Sequence, residues 1–308
     1  MRILFVASSR IGDAVLCTGL IDHLLRQYPK ARFTIVTGPV AEEVFARMPN
    51  RERTIVVEKR RFGLHWLPLW WFAVRHWWGL VVDIRASALA YLVPTLSRVV
   101  MRKSGGHKTH QLGRLLRLDP PPRPVVWTDA ADRRHAAALL PEGGPIIGLG
   151  PTSNWGPKTW APERFVELAQ RLAAETLPGA RFAIFAGPGE KEASLAAPVL
   201  AALPGAIDLV GRLSLPEVAA CMARCAIFIG NDSGLMHIGA ASGAPTLGLF
   251  GPTPSDEYGP SGRCAAPVVS VDQTMAGLSV EMAFAAAKKL LANPAYVFSR
   301  NDDERAAS

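Results

Sequence analysis

The feature that most constrains this chain is a rhythm: short apolar runs alternate with longer amphipathic segments, twice over, around one proline-rich break. In the first series the runs are RILFVA (2–7), FTIVTG (33–38), TIVVE (54–58), LVVDI (80–84) and RVVMR (98–102). Runs of this length with helical patterns between them are the signature of a parallel sheet with crossover helices. The rhythm stops at DPPPRPVVW, whose prolines can continue neither a helix nor a central strand, and a linker is expected over 119–128. A second series follows with PIIGLG (145–150), RFAIFAG (181–187), AIDLVG (206–211), AIFIG (226–230) and APTLGLF (244–250). Two Rossmann-like halves are expected, with a ligand cleft at the carboxyl ends of their strands. The segment SVEMAFAAAKKLLAN (279–293) reads as a last helix and SRNDDERAAS as a polar tail.

Composition narrows the partners. A chain of 308 residues with 49% hydrophobic residues is globular and large enough for two domains. The net charge of +8 favours an anionic partner, whether a phosphorylated small molecule, nucleic acid or a membrane surface. Cys17, Cys221, Cys225 and Cys264 show neither a CxxC pair nor metal-ligand spacing, and read as core residues in a reducing compartment. The amino terminus has only a short apolar run, broken by Arg10 and Asp13, so neither a signal peptide nor a spanning helix is expected and the protein should be cytoplasmic.

The loops after the strands are where chemistry belongs. In ASSRIGDAVL, Gly12 permits close backbone approach and Asp13 opens a helix, either as a dipole-favoured capping residue or as a general base. The loop GLGPTSNWGPKTWAPERF fails both the P-loop and the GxGxxG spacing, which leaves hydroxyls and one lysine suited to phosphate oxygens. After AGPG, Glu190 or Glu192 could accept bonds from ribose hydroxyls or simply enrich the first turn of a helix. In NDSGLMH, Asp232 or Ser233 is expected to cap a helix whose free N–H groups at 233–236 bind phosphate, with Gly234 leaving room and His237 one turn in.

Together RILFVASSRIGDAVLCTGLI, PKTWAPERF and NDSGLMHIGAASGAPTLGLFGPTPSDEYGP resemble glycosyltransferase family 9, the ADP-heptose:lipopolysaccharide heptosyltransferases. The resemblance implies an α/β fold of GT-B type, with two Rossmann-like domains facing across a cleft and a carboxyl-terminal helix returning to the first domain. The boundaries expected are 1–120 for the acceptor side, 121–280 for the nucleotide-sugar side, 281–295 for the returning helix and 299–308 for the tail. It makes Asp13 the general base. Gly12, Ser153, Asn154, Lys158, Glu190, Asp232, Ser233, Gly234 and His237 become the nucleotide-sugar contacts. The implied reaction is an inverting transfer of heptose or a similar sugar from an ADP-sugar donor to a lipopolysaccharide inner-core acceptor. A non-catalytic nucleotide-sugar-binding protein, or a member using another donor and acceptor, stays open.

No D-x-D pair occurs, so activity without a divalent ion or other cofactor is expected. Five of the eight Trp fall in EKRRFGLHWLPLWWFAVRHWWGL (58–80), beside Arg60 and Arg61. This segment reads as a lip that meets an anionic lipid-linked saccharide at the inner face of the membrane, with an aromatic core helix as the plainer alternative. The expected protein is a peripheral monomer that binds no nucleic acid, since no base-reading motif accompanies the charge.

Overall fold

The computed structural model of the chain describes residues 1–58, 61–102 and 104–293, with Phe62 by its backbone alone, and every count below is made among these described residues. Arg60 lies outside them, as does the 299–308 tail. The chain divides into two compact units, one of residues 1–127 and the other from Thr128 onward.

The first unit holds β1 (Arg2–Val6), β2 (Arg32–Thr37), β3 (Arg51–Val56), β4 (Trp78–Asp83) and β5 (Thr95–Val100), all parallel in the order β3-β2-β1-β4-β5. Its helices are α1 (Ile11–Gln27), α2 (Trp66–Ala73) and α3 (Lys108–Leu115), with 3-10 turns at Pro39–Phe45 and Ala88–Tyr91. Ile3, Leu4, Phe5 and Val6 are consecutive and all fully buried, as a central strand covered on both faces requires. The edge strands β3 and β5 keep Glu52, Arg53 and Arg98 exposed, charges that discourage further strand pairing. Strand order reverses between β1 and β4, so the loops after these two strands flank the switch point of this sheet.

In the second unit α4 (Ala130–Leu139) leads into β6 (Ile146–Gly150), β7 (Arg181–Ile184), β8 (Ile207–Asp208), β9 (Ile227–Asn231), β10 (Thr246–Phe250) and β11 (Ala265–Val269). These form a parallel sheet in the order β11-β10-β9-β6-β7-β8, with its reversal between β6 and β9. The remaining helices are α5 (Pro162–Glu175), α6 (Glu190–Ala202), α7 (Leu215–Ala223), α8 (Gly234–Ala241), α9 (Ser255–Tyr258) and α10 (Val280–Leu291). Strand β11 has no counterpart among the sequence expectations. Its AAPVV run is interrupted by Pro267, which argues against a strand by residue type and is tolerated because the strand pairs on one side only, with β10. Ala283, Phe284, Ala287 and Leu290 of α10 join Trp160, Phe165 and Leu249 in one buried cluster, so the apolar face of this helix is spent on the second unit.

The expected linker is not a loose tether. Gly19 of α1 has no room for a side chain, because a Cβ there would lie 2.5 Å from the Pro122 carbonyl oxygen and 2.6 Å from that of Arg123. One residue earlier, the buried Thr18 Oγ1 accepts the Val125 N–H at 2.9 Å. The proline segment is therefore strapped onto α1. No described helix is long and apolar enough to cross a membrane.

Candidate functional site

In the second unit the chemistry gathers at the carboxyl edge of β6, β9 and β10. Lys158 and Asp232, 74 residues apart, meet with Nζ to Oδ2 at 2.5 Å, their side chains 20% and 7% exposed. The expected side-chain cap of α8 is not formed by either candidate. Asp232 turns its carboxylate to Lys158 instead, and Ser233 occupies the cap position with extended backbone and no side-chain cap bond. The Ser233 hydroxyl oxygen is buried and has no hydrogen-bond partner among the described residues. The first N–H groups of α8, from Gly234 onward, thus have no side-chain cap, which is the arrangement that receives an anion. His237 follows one turn in and is 5% exposed.

Asn231, the last residue of β9, holds this edge together and was not among the expected site residues. It is fully buried, its Oδ1 accepts the Trp160 N–H at 3.1 Å, and its Nδ2 donates to the Pro151 carbonyl at 2.9 Å. One amide thereby clamps both ends of the 151–160 loop that carries Ser153, Asn154 and Lys158. A polar residue ending an otherwise apolar strand is the signal that could have marked it. Within the loop, the Ser153 hydroxyl bonds the Trp155 carbonyl at 2.8 Å and Thr159 Oγ1 at 2.9 Å, so it is committed to loop shape, while Asn154 is exposed. Trp160, fully buried, donates Nε1 to the Leu278 carbonyl at 2.8 Å. The small face of α8 has a packing reason as well: a Cβ on Gly239 would lie 2.9 Å from the Phe228 ring, so glycine lets this helix sit close on β9.

Of the two candidate acids after β7, Glu192 takes the local role, its Oε2 accepting the Gly187 N–H at 3.2 Å. Glu190 is exposed in the first turn of α6.

In the first unit Asp13 sits in the first turn of α1, half-buried, with Gly12 before it. It has no hydrogen bond or ion pair among the described residues. Across the switch point, Val6 pairs with Asp83, so the loop after β4 lies beside the loop that leads to Asp13. Asp83 is fully buried and accepts the N–H groups of Arg85 (2.8 Å) and Ser87 (2.9 Å) and the Ser87 hydroxyl (2.5 Å). Burial pushes its carboxyl above the usual range against these bonds. The bonds hold a turn in which Ala86 adopts φ +53°, a left-handed conformation that a side chain disfavours. A lone acid ending the run LVVD was legible in the sequence but not singled out. Arg61 belongs to a short 3-10 turn before α2.

No group of three or more His, Cys, Asp or Glu is placed to hold a metal among the described residues. All four cysteines are unpaired and buried, and burial pushes their thiols up, that of Cys221 to about 12.

The chain is similar to several known proteins along most of its length. Lipooligosaccharide heptosyltransferase 2 of Haemophilus influenzae is 25% identical over 303 residues, a span of 84% of this chain and 86% of that protein. A glycosyl transferase family 9 structure from Veillonella parvula superposes with a TM-score of 0.80 at 22% identity, covering 94% of this chain and 97% of its own. An E. coli heptosyltransferase solved with ADP gives a TM-score of 0.77 at 18% identity, covering 94% of this chain and 100% of its own. These likenesses establish the fold, two Rossmann-like units of GT-B type. The model of glycosyltransferase family 9 (heptosyltransferase) matches residues 109–287, more than half of the chain and the whole edge that carries Lys158, Asp232 and Ser233. The chain belongs to glycosyltransferase family 9.

Proposed function

We propose that the protein is an inverting heptosyltransferase that moves a heptose, or a closely similar sugar, from an ADP-sugar to an anionic, lipid-linked inner-core saccharide. One observation carries the donor half of this reading: the N-terminus of α8 has no side-chain cap, Ser233 Oγ is buried without a partner among the described residues, and Lys158 stands at the same edge. A diphosphate supplies acceptors for the N–H groups and the hydroxyl, and competes with Asp232 for the lysine. Gly234 leaves its oxygens room against the backbone, Glu190 faces solvent where a ribose hydroxyl donates, and His237, Ser153 and Asn154 shape the surround.

The acceptor half rests on Asp13. Its carboxylate takes the proton of the acceptor hydroxyl as that oxygen attacks the anomeric carbon. The bond from that carbon to the β-phosphate oxygen breaks, and the departing diphosphate keeps the electron pair. Charge developing on it is met by the first N–H groups of α8 and by Lys158, groups aimed before the reaction begins. With these donors in place and no D-x-D pair in the sequence, the transfer is proposed to run without a divalent ion. The enzyme works as a monomer at the inner face of the cytoplasmic membrane, where its lipid-linked acceptor is made.

Asp13→Asn tests the reading. Transfer from ADP-heptose should fall by at least about a hundredfold, the usual share of a general base, while calorimetric ADP affinity stays that of the wild type. Full turnover by the variant refutes Asp13 as the base, and absence of ADP binding by the wild type refutes the donor site.

A further inference from the structure

Residues 59–118 hold eleven Lys and Arg against a single acid, Asp83, and Asp83 is fully buried. That is a balance of +10 within a chain whose total is +8, so the remaining 248 residues are net −2. The positive excess of the protein is concentrated in one stretch of the first unit. The same stretch concentrates apolar surface: of thirteen exposed large hydrophobic side chains among the described residues, seven lie between 64 and 96.

Packing puts the central ones on one face. Leu69 and Ala73 of α2 enter the same buried cluster as Leu89 and Ala90 of the 3-10 turn, around Trp78, and Trp70 Nε1 donates to the Leu92 carbonyl at 3.0 Å. Two elements that lay their inner faces on one cluster, and are tied edge to edge, turn their other sides outward together. On that outer side stand Leu67 (58% exposed), Trp71 (53%) and Leu92 (58%). Cations lie on the rings: the Arg75 guanidinium is 3.9 Å over Trp71 and that of Arg98 is 5.6 Å over Tyr91. Neither arginine has a carboxylate partner among the described residues.

A cation stacked on an exposed indole presents charge and apolar surface at one depth, which is what the headgroup boundary of a bilayer accepts. A second copy of the chain is repelled by the local +10. A nucleic acid satisfies the arginines but leaves Leu67 and Leu92 in water. We propose that α2 and the 88–92 turn form a docking surface for a bilayer of anionic phospholipid, with Leu67, Trp71 and Leu92 entering the boundary and Arg75 and Arg98 taking lipid phosphates. The purpose assigned to it, bringing Asp13 to a lipid-linked acceptor, rests on the proposed function. The binding itself is measured without donor, acceptor or turnover, so either can fail alone.

The test is flotation of the full chain with vesicles of phosphatidylcholine containing about one third phosphatidylglycerol, against pure phosphatidylcholine, at about 0.15 M salt. The wild type should float with the anionic vesicles only. Leu67→Ser with Trp71→Ser should weaken that binding at least about tenfold, and Arg75→Gln with Arg98→Gln about thirtyfold, at roughly 1 kcal/mol per surface arginine. Both variants should keep the wild-type melting temperature and its rise with ADP. Absence of wild-type flotation overturns the proposal. So does unchanged flotation of the serine variant, and so does binding of a single-stranded oligonucleotide with no binding of vesicles.

Discussion

Asn231→Ala removes the clamp on the 151–160 loop and tests whether that clamp, rather than the loop's own contacts, presents Lys158. The residue is fully buried and makes two bonds, from the Trp160 N–H at 3.1 Å and to the Pro151 carbonyl at 2.9 Å. Truncation leaves both backbone groups without their partner. Each such group costs about 1–3 kcal/mol, so the pair should cost about 4 kcal/mol. For a unit of this size each kcal/mol lowers the melting temperature by about 2–4 °C, and the variant should melt about 10 °C below the wild type. ADP at a hundred times its dissociation constant stabilises by about 2.7 kcal/mol, and a loosened loop gives part of that back. The assay is a thermal melt with and without ADP, read beside calorimetric affinity. A variant that melts within about 2 °C of the wild type and binds ADP as tightly refutes the clamp. Asn231→Asp is the matched control. It keeps an acceptor for Trp160 but sets a second acceptor against the Pro151 carbonyl, so it should not restore stability.

Other outcomes follow from the same geometry. Lys158→Met should weaken ADP binding by about tenfold or more, the worth of one charge-assisted bond, with Asp232 then turning a bare carboxylate toward the ligand; unchanged affinity by calorimetry refutes the contact. Asp83 has a folded pKa raised above 3.8 by burial, so its native state holds the proton longer than the unfolded chain and stability is lost as pH rises through that window. The stability gap between the wild type and Asp83→Asn should therefore narrow as pH climbs above about 4 in denaturant titrations, and a constant gap counts against a buried charge there. Because all four thiols are buried and pushed up, a thiol reagent at neutral pH should label none of them in the native protein and all four after denaturation.

Legibility in the sequence tracked burial. β1, β6, β9 and β10 are covered on both faces, write themselves as unbroken apolar runs, and fall within two residues of their expected starts. β11 was missed because an edge strand needs only one apolar side and can hold Pro267, and β8 shrinks to two residues because AIDLVG ends in a turn held by Asp208. Residue type also pointed to Asp232 and Ser233 as caps. The pairing that overrides the cap reaches across 74 residues, and no local rule counts such a partner. Lys158 was expected near phosphate from the hydroxyls around it and from the family resemblance, while its ion pair required the fold. Asn231 and Asp83 were visible as polar residues ending apolar strands, yet strand ends are common places for polar residues, and only burial separates these two from the rest.

The strap on α1 has a consequence for engineering. The chain is pinned to the first unit at Val125 and taken up again by the second at Asp129, whose side chain caps α4. Three residues, 126–128, are left between these anchors, which can therefore lie at most about 14 Å apart. A joint this short keeps each unit at a very high local concentration for the other. Spliced at that point, a flexible Gly/Ser insert would dilute it steeply with length. The proline segment thus sets a molarity as well as a boundary, and its effect should be tunable one residue at a time.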